Sequence, residues 1–177
     1  MPASVNISDI KDATVPASFV CAYFDWEDST LSMLVYNEDI YDSVELHSLA
    51  LADTLYWNQQ LLIVDRIEQK DSTIVINGGL EEGGAEFIPN GGGTYKSIIW
   101  DDAPTYTQLG EVCLPLAHDF TITDCGEFPT DANLTISTNQ RAYLDGLRFN
   151  RFYFLNLSTK VRIENGQITN ITRTWIP

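Results

Sequence analysis

Apolar and polar positions alternate along this chain in short runs, and turn residues interrupt the runs every few positions, a period-two pattern that predicts strands. ASFVCAYFDW (17–26) and STLSMLVYN (29–37) are rich in aromatic and β-branched residues and flank the polar corner Glu27-Asp28, so they predict a first hairpin. The next stretch, NEDIYDSVELHSLALADTLYWNQQLLIVDRIEQ (37–69), divides into a polar loop, a piece ending near Leu51, and a second hairpin. In that hairpin TLYW and LLIVDRIE meet around Asn58-Gln59-Gln60. Within LIVDRI, Leu62, Val64 and Ile67 lose strict alternation, which predicts a bulge near Asp65. A short strand, TIVIN (73–77), follows.

Residues 76–95, INGGLEEGGAEFIPNGGGTY, hold seven of the eleven glycines. A phosphate cradle would need these glycines to lead into a helix whose first amides hold the anion. Here they lead into AEFIP and TYKSIIW, which lack a helical period, and Glu81 and Glu82 put negative charge where the anion would sit. The turn reading has a mechanism: Asn77-Gly78 and Asn90-Gly91 supply the positive φ angles of tight reversals. The GLEEGG segment between them reads as an exposed acidic loop able to touch a partner.

Beyond Trp100, Pro104, Pro115 and Pro129 forbid long helices and permit short edge strands around EVCL and DFTIT. A single short helix is expected near 138–148, in TNQRAYLDGLR, where Ala142, Tyr143 and Leu147 share a face and Gly146 weakens it. At the C-terminal end, VRIE and QITNITRTW alternate on either side of Asn165-Gly166, a strong hairpin signal. The expected fold is mainly β, an antiparallel barrel or sandwich of hairpins with that one helix. It is expected to form one domain over 1–177, with 1–15 as a flexible N-terminal segment.

Composition bounds function. A chain of 177 residues with 44% apolar content can bury a proper core. No apolar run approaches the roughly 18 residues of a membrane span, so direct insertion of the domain in a membrane is not expected, and the first twenty residues lack the pattern of a signal peptide. With 25 acidic and 10 basic side chains, the net charge of −15 disfavours nucleic acid and anionic lipid as partners. The acids are dispersed in small groups, which favours a solubilising surface over a dedicated acidic face. Of three cysteines, Cys21 lies in an apolar run as a small hydrophobe, whereas Cys113 and Cys125 could face each other across strands in an oxidising compartment.

Candidate chemistry is sparse. His47 and His118 sit in no nucleophile-elbow, zinc-protease or cysteine-histidine pattern, and on an extended strand His47 and Ser48 would point to opposite faces. No catalytic residue, metal ligand or cofactor is therefore assigned, and no calcium-loop sequence occurs. Two constellations set an indole beside carboxylates: Trp26 with Glu27 and Asp28, and Trp100 with Asp101, Asp102 and Tyr106. Such groups stack on a sugar ring and accept its hydroxyl hydrogens; equally, the indoles would close the ends of the core while the acids solvate the turns. Asn-x-Ser/Thr sequons begin at Asn6, Asn133, Asn156 and Asn170, and carry glycans only in a secreted eukaryotic setting.

The runs SVELHSLALADTLYWNQQLLIVDRIE, VINGGLEEGGAEFIPNGGGTY and VRIENGQITNITRTWIP resemble domains of exported or lipid-anchored bacterial proteins that have no assigned activity, which share a strand, an NGG-acidic loop and a terminal NG hairpin. The resemblance implies an extracellular or cell-envelope address, with a leader replaced here by Met1, and carries over no catalytic residue. A native start at Met1 would instead mean a cytoplasmic protein. The resulting expectation is a non-catalytic binding domain for a protein or glycan at the cell envelope. The alternatives are a glycan hydrolase working through carboxylates and an acidic inhibitor or decoy of a basic surface. Oligomeric state is not readable from the sequence.

Overall fold

The computed structural model describes residues 10–25, 27–125, 134–137 and 154–176. In chain order the elements are β1 (Ala13–Asp25), β2 (Thr30–Glu38), β3 (Ile40–Asp42), α1 (Ser43–His47), β4 (Thr54–Trp57), β5 (Gln60–Ile63), β6 (Ile67–Lys70), β7 (Thr73–Ile76), β8 (Ala85–Gly91), β9 (Thr94–Ile98), β10 (Tyr106–Asp124), β11 (Leu134–Ser137), β12 (Thr159–Glu164) and β13 (Gln167–Arg173). Among the described residues, 3-10 turns lie at Leu80–Glu82 and Trp100–Asp102. The protein is mainly β with one short helix among the described residues, and it combines a closed barrel with antiparallel sheets. The helix expected at 138–148 lies outside the described residues. The helix present is α1, in the stretch that ends near Leu51: the Asp42 carboxylate accepts from the Val44 N–H at 2.7 Å and the Glu45 N–H at 3.1 Å, which satisfies two amides of the first turn.

The chain forms two compact units. One comprises the described parts of Val5–Asn37 and Gln108–Pro177. Its strands close into a five-membered ring in the order β1, β2, β10, β13, β12, and β11 adds to β10 outside the ring. The first hairpin forms as expected, with Asp25 opposite Thr30 and Glu27-Asp28 in the turn. The terminal hairpin also forms, with Glu164 opposite Gln167 around Asn165 and Gly166 at φ 51 and 74. Of the segment expected to be flexible, Ala13, Thr14 and Val15 pair with Ile163, Arg162 and Val161. β1 then leaves β12 for β2, with a register shift between Ser18 and Tyr23 that lets one strand turn the corner of the barrel.

EVCL and DFTIT, expected as separate short strands, both belong to the 19-residue β10. Pro115 within it lacks an N–H, but pairing resumes at once, because the Leu116 N–H donates to the Ser29 carbonyl at 2.8 Å. His118 is likewise in this strand. β10 runs parallel to β13, and all other strand pairings with a described register in the ring are antiparallel. The barrel is filled by alternating positions: Leu31, Met33 and Val35 from β2, Val161 and Ile163 from β12, and Ile168 and Ile171 from β13 are essentially inaccessible. Arg173 and Asp124, opposite one another on the parallel pair, make a nearly buried ion pair with Nε–Oδ1 2.9 Å and Nη2–Oδ1 2.5 Å. The guanidinium also lies 5.2 Å over the Phe154 ring, which stacks on Phe19. Cys113 and Cys125 cannot face each other across strands: one lies in the middle of β10 and the other just past its end, twelve positions along the same strand, and no disulfide joins them.

The other unit, Glu38–Thr107, holds a five-stranded antiparallel sheet in the order β3-β9-β8-β7-β6 and the two-stranded ribbon β4-β5. The ribbon turns at Asn58-Gln59, both at positive φ (44 and 64), as the sequence predicts. There is no bulge at Asp65. β5 ends at Ile63, and Ile67 opens β6 in the five-stranded sheet, so the lost alternation marks a passage between two sheets. Asn77 fastens that passage: its Oδ1 accepts from the Asp65 and Arg66 N–H groups at 2.9 and 3.1 Å, and its Nδ2 donates to the Ile63 carbonyl at 2.7 Å. The unit's core contains Tyr41, Leu46, Leu55, Trp57, Val64, Ile74, Ile76 and Phe87. Asp39, also inaccessible, accepts from the Thr105 and Thr107 hydroxyls at 2.7 Å each, and Ser97 bonds to Thr105 behind them.

Candidate functional site

The glycine-rich segment builds one wall of a pocket on the five-stranded sheet. Asn77-Gly78 does reverse the chain between β7 and β8, but through a longer connection that includes the Leu80–Glu82 turn. Glycine is required at two places in it, by close packing on backbone at Gly84 and by positive φ at Gly79. A Cβ on Gly84 would stand 2.0 Å from the Ile76 carbonyl oxygen, and one on Gly79, which has φ +76, would stand 2.3 Å from Glu86 Oε1. That same Glu86 oxygen accepts from the Leu80 N–H at 3.2 Å and so braces the turn from β8. At the second reversal, the turn residues are Gly92-Gly93, between the paired Gly91 and Thr94; Asn90-Gly91 itself belongs to the end of β8, beside a register irregularity.

Pairing registers place the parts on one face of the sheet. Glu68, Val75, Glu86 and Ile98 are successive cross-strand partners on β6, β7, β8 and β9, and directly opposed residues share a face. Val75 and Ile98 are buried on this face, opposite to that of Ile74, Ile76 and Phe87 in the core. The Leu80–Glu82 turn and the Trp100–Asp102 turn rise around it to form a surface pocket of about 400 Å³. Its lining includes Trp100, Asp101, Asp102, Glu81, Glu86 and Lys70. Trp100 is 65% exposed. The turn that carries it closes through Ile99 N–H to Ala103 carbonyl at 2.8 Å, with Asp101 and Asp102 in left-handed conformations at φ 59 and 56, which short polar side chains tolerate better than most.

The carboxylates differ in what already holds them. Glu82 is bound to Arg66 (Oε2–Nη2 2.5 Å), and the guanidinium of Arg66 is held strongly protonated by that partner. Glu86 is engaged by the Leu80 amide. Glu81, Asp101 and Asp102 are exposed at the pocket, near the single cation in its lining, Lys70. The whole segment Glu38–Thr107 carries thirteen carboxylates and three basic side chains, against twelve and seven in the rest of the chain. The acids are therefore concentrated here, although the grouping along the sequence reads as dispersed. An aromatic plate, apolar patches from Leu80, Ile98 and Ile99, and anionic acceptors together suit a ligand with one apolar face and several hydroxyl or ammonium donors.

The residues singled out from sequence divide between the two units. Trp100, Asp101 and Asp102 come together in the pocket. Tyr106 does not line it: its side chain is buried, at 8% exposure, and burial, aided by Glu38, pushes the phenol up to about 12. Glu27 and Asp28 are exposed in the β1–β2 turn of the barrel unit, where their amides donate to Asp25 Oδ1 at 3.0 and 3.2 Å, and Trp26 lies outside the described residues. Lys70 and Glu86, the lining residues that sequence reasoning passes over, are joined to Trp100 only through strand pairing. His47 sits on α1, not on a strand, and its ring nitrogen Nδ1 is 2.7 Å from the Ser43 carbonyl oxygen. The signal for that helix was the Asp42-Ser43-Val44-Glu45 capping sequence. Among the described residues no three His, Cys, Asp or Glu side chains are grouped to hold a metal ion, and no helix is long and apolar enough to cross a membrane. Comparison with protein families, with curated proteins and with solved structures gives no significant match.

Proposed function

We propose that the protein is a non-catalytic binding domain whose site is the Trp100 pocket and whose ligand is a glycan without acidic groups, presented at the cell envelope. The observation that carries this reading is Trp100 itself: a large indole left 65% exposed on a short turn, at a pocket that also holds Glu81, Asp101 and Asp102. A sugar ring offers an apolar face of C–H groups to stack on the indole and a rim of hydroxyls for the carboxylates to receive. The local excess of negative charge selects against sulfated and uronic polymers.

Titration calorimetry with a panel of neutral, amino-bearing and sulfated oligosaccharides tests the proposal. Expected is binding of one or more neutral or amino sugars, no binding of the sulfated set, and loss of binding in Trp100→Ala. Retention of full affinity by that variant sinks the assignment. Release of reducing ends from a bound glycan, abolished by Glu81→Gln, would move the reading to the carboxylate-dependent hydrolase.

A further inference from the structure

We infer that the free edge of β5 is a second, protein-binding surface, which takes an extended segment of alternating apolar and basic residues as a third strand on the β4-β5 ribbon. The ribbon is a two-stranded sheet, so among the described residues β5 has β4 on one side only. Its two-residue turn makes Trp57 and Gln60 a hydrogen-bonded pair, and pairing repeats every second residue. The Val64 N–H to Asp53 carbonyl bond at 2.8 Å keeps the same phase. Gln60 and Leu62 thus direct their backbone groups toward β4, while Leu61 and Ile63 direct theirs outward. The Ile63 carbonyl is capped by Asn77 Nδ2, which leaves the Leu61 N–H and C=O and the Ile63 N–H on the open edge.

The side chains on this strand reinforce the point. Leu61 is 72% and Ile63 67% exposed, side by side on the outer face, and no charged residue or proline occurs between Gln60 and Ile63. Exposed edges normally carry such guards against pairing with another chain. An incoming strand would cover the two apolar side chains while its backbone met the open groups, the mode known as strand addition. Charge chooses the partner. Asp53 and Asp65 flank the open end of the ribbon, both exposed, in the unit with thirteen acids and three bases, so a basic segment is favoured; a second copy of this chain, at net −15, is repelled.

The test uses three synthetic nonapeptides: alternating lysine and valine, alternating glutamate and valine, and the lysine-valine peptide N-methylated at every peptide nitrogen so that neither edge can donate. Fluorescence anisotropy is expected to show binding of the first peptide alone. The neutral double variant L61N/I63N, which leaves net charge unchanged, should weaken it by about tenfold or more. Trp100→Ala should leave it unchanged, so the outcome is independent of the glycan reading. Failure of the lysine-valine peptide to bind, equal binding of the glutamate or N-methylated peptide, or full binding by L61N/I63N overturns the inference. So does a dimer in sedimentation that L61N/I63N dissolves, because the edge would then belong to a second copy.

Discussion

Both units of this protein are made from hairpins, yet they treat the edges of their sheets in opposite ways. In the barrel unit each of the five ring strands has a neighbour on both sides, and the ring is completed by the parallel pairing of β10 with β13. In the Glu38–Thr107 unit, β3 and β6 end the larger sheet and β4 and β5 form a ribbon with both edges unpaired within it. Closure puts the strongest polar contact inside: Asp124 and Arg173 meet with side chains 12% and 10% exposed. The open unit, apart from the buried Asp39, puts its charge outside and keeps Trp100, Leu61 and Ile63 at the surface. The difference teaches that one strand-rich sequence can close one set of strands on itself and leave another set with open edges and exposed apolar side chains. The most direct way to break the comparison is Asp124→Ala. The substitution takes away the carboxylate that Arg173 meets across the parallel pair, and breaking a nearly buried ion pair in this way should cost about 3–5 kcal/mol in chemical denaturation. Hydrogen exchange should accelerate first in β10 and β13, which the pair joins, and less in β7 and β8. A loss below about 1 kcal/mol, or earlier exchange in β7 and β8, would refute the contrast.

The open unit has its own buried liability, and pH exposes it. Tyr106 is pushed up to about 12 by burial and by Glu38, from an ordinary value of 10.0, while Tyr41 is raised further by burial and by Asp39. Burial favours the neutral phenol, so the folded protein holds this proton more tightly than the unfolded chain does. The resulting stabilisation is complete below pH 10 and is lost as pH rises from 10 to about 12. For Tyr106 the shift corresponds to roughly 2–3 kcal/mol. Thermal melts followed between pH 9 and pH 12 should therefore show a fall in stability whose steepness is reduced in Tyr106→Phe. An unchanged pH profile in that variant would show that Tyr106 is not the group being deprotonated.

Local turn chemistry made part of this fold legible. Asn58-Gln59 and Asn165-Gly166 occupy tight two-residue turns because each reversal depends on the φ angles of only two residues. At Gly91, Gly92 and Gly93 that information is degenerate: three consecutive residues accept positive φ, and cross-strand register, set elsewhere, selects Gly92-Gly93. The Ser43–His47 helix is not legible in the apolar pattern because five residues are too few for a helical period, although its Asp42 cap is visible. A barrel or sandwich is legible in the hairpins, but the parallel step that closes the ring is not, for a different reason. Nothing near β10 or β13 announces that they run parallel, since the pairing joins residues about fifty positions apart. The candidate site falls between these cases: Trp100, Asp101 and Asp102 are contiguous and could be noticed, whereas Glu86 and Lys70 reach the pocket through sheet register.

The smallest expected effect is also the sharpest statement of the comparison. If Trp100 is held at the surface for recognition, its removal should leave folding untouched. The indole is 65% exposed, its turn is closed by backbone bonds between Ile99 and Ala103 and between Ala103 and Trp100, and Ile98 beneath it belongs to the sheet. Trp100→Ala deletes none of these bonds, so its unfolding free energy should stay within about 0.5 kcal/mol of the parent, as for surface positions in general. Were the indole instead a lid on the face that buries Val75 and Ile98, truncation would open apolar surface to water at roughly 25 cal/mol per Å², and a loss of 1–2 kcal/mol would follow. Equilibrium denaturation of this one variant separates the two roles: a loss of that size would make Trp100 part of the core's cover, and a null result would leave recognition as the reason for an exposed tryptophan beside three carboxylates.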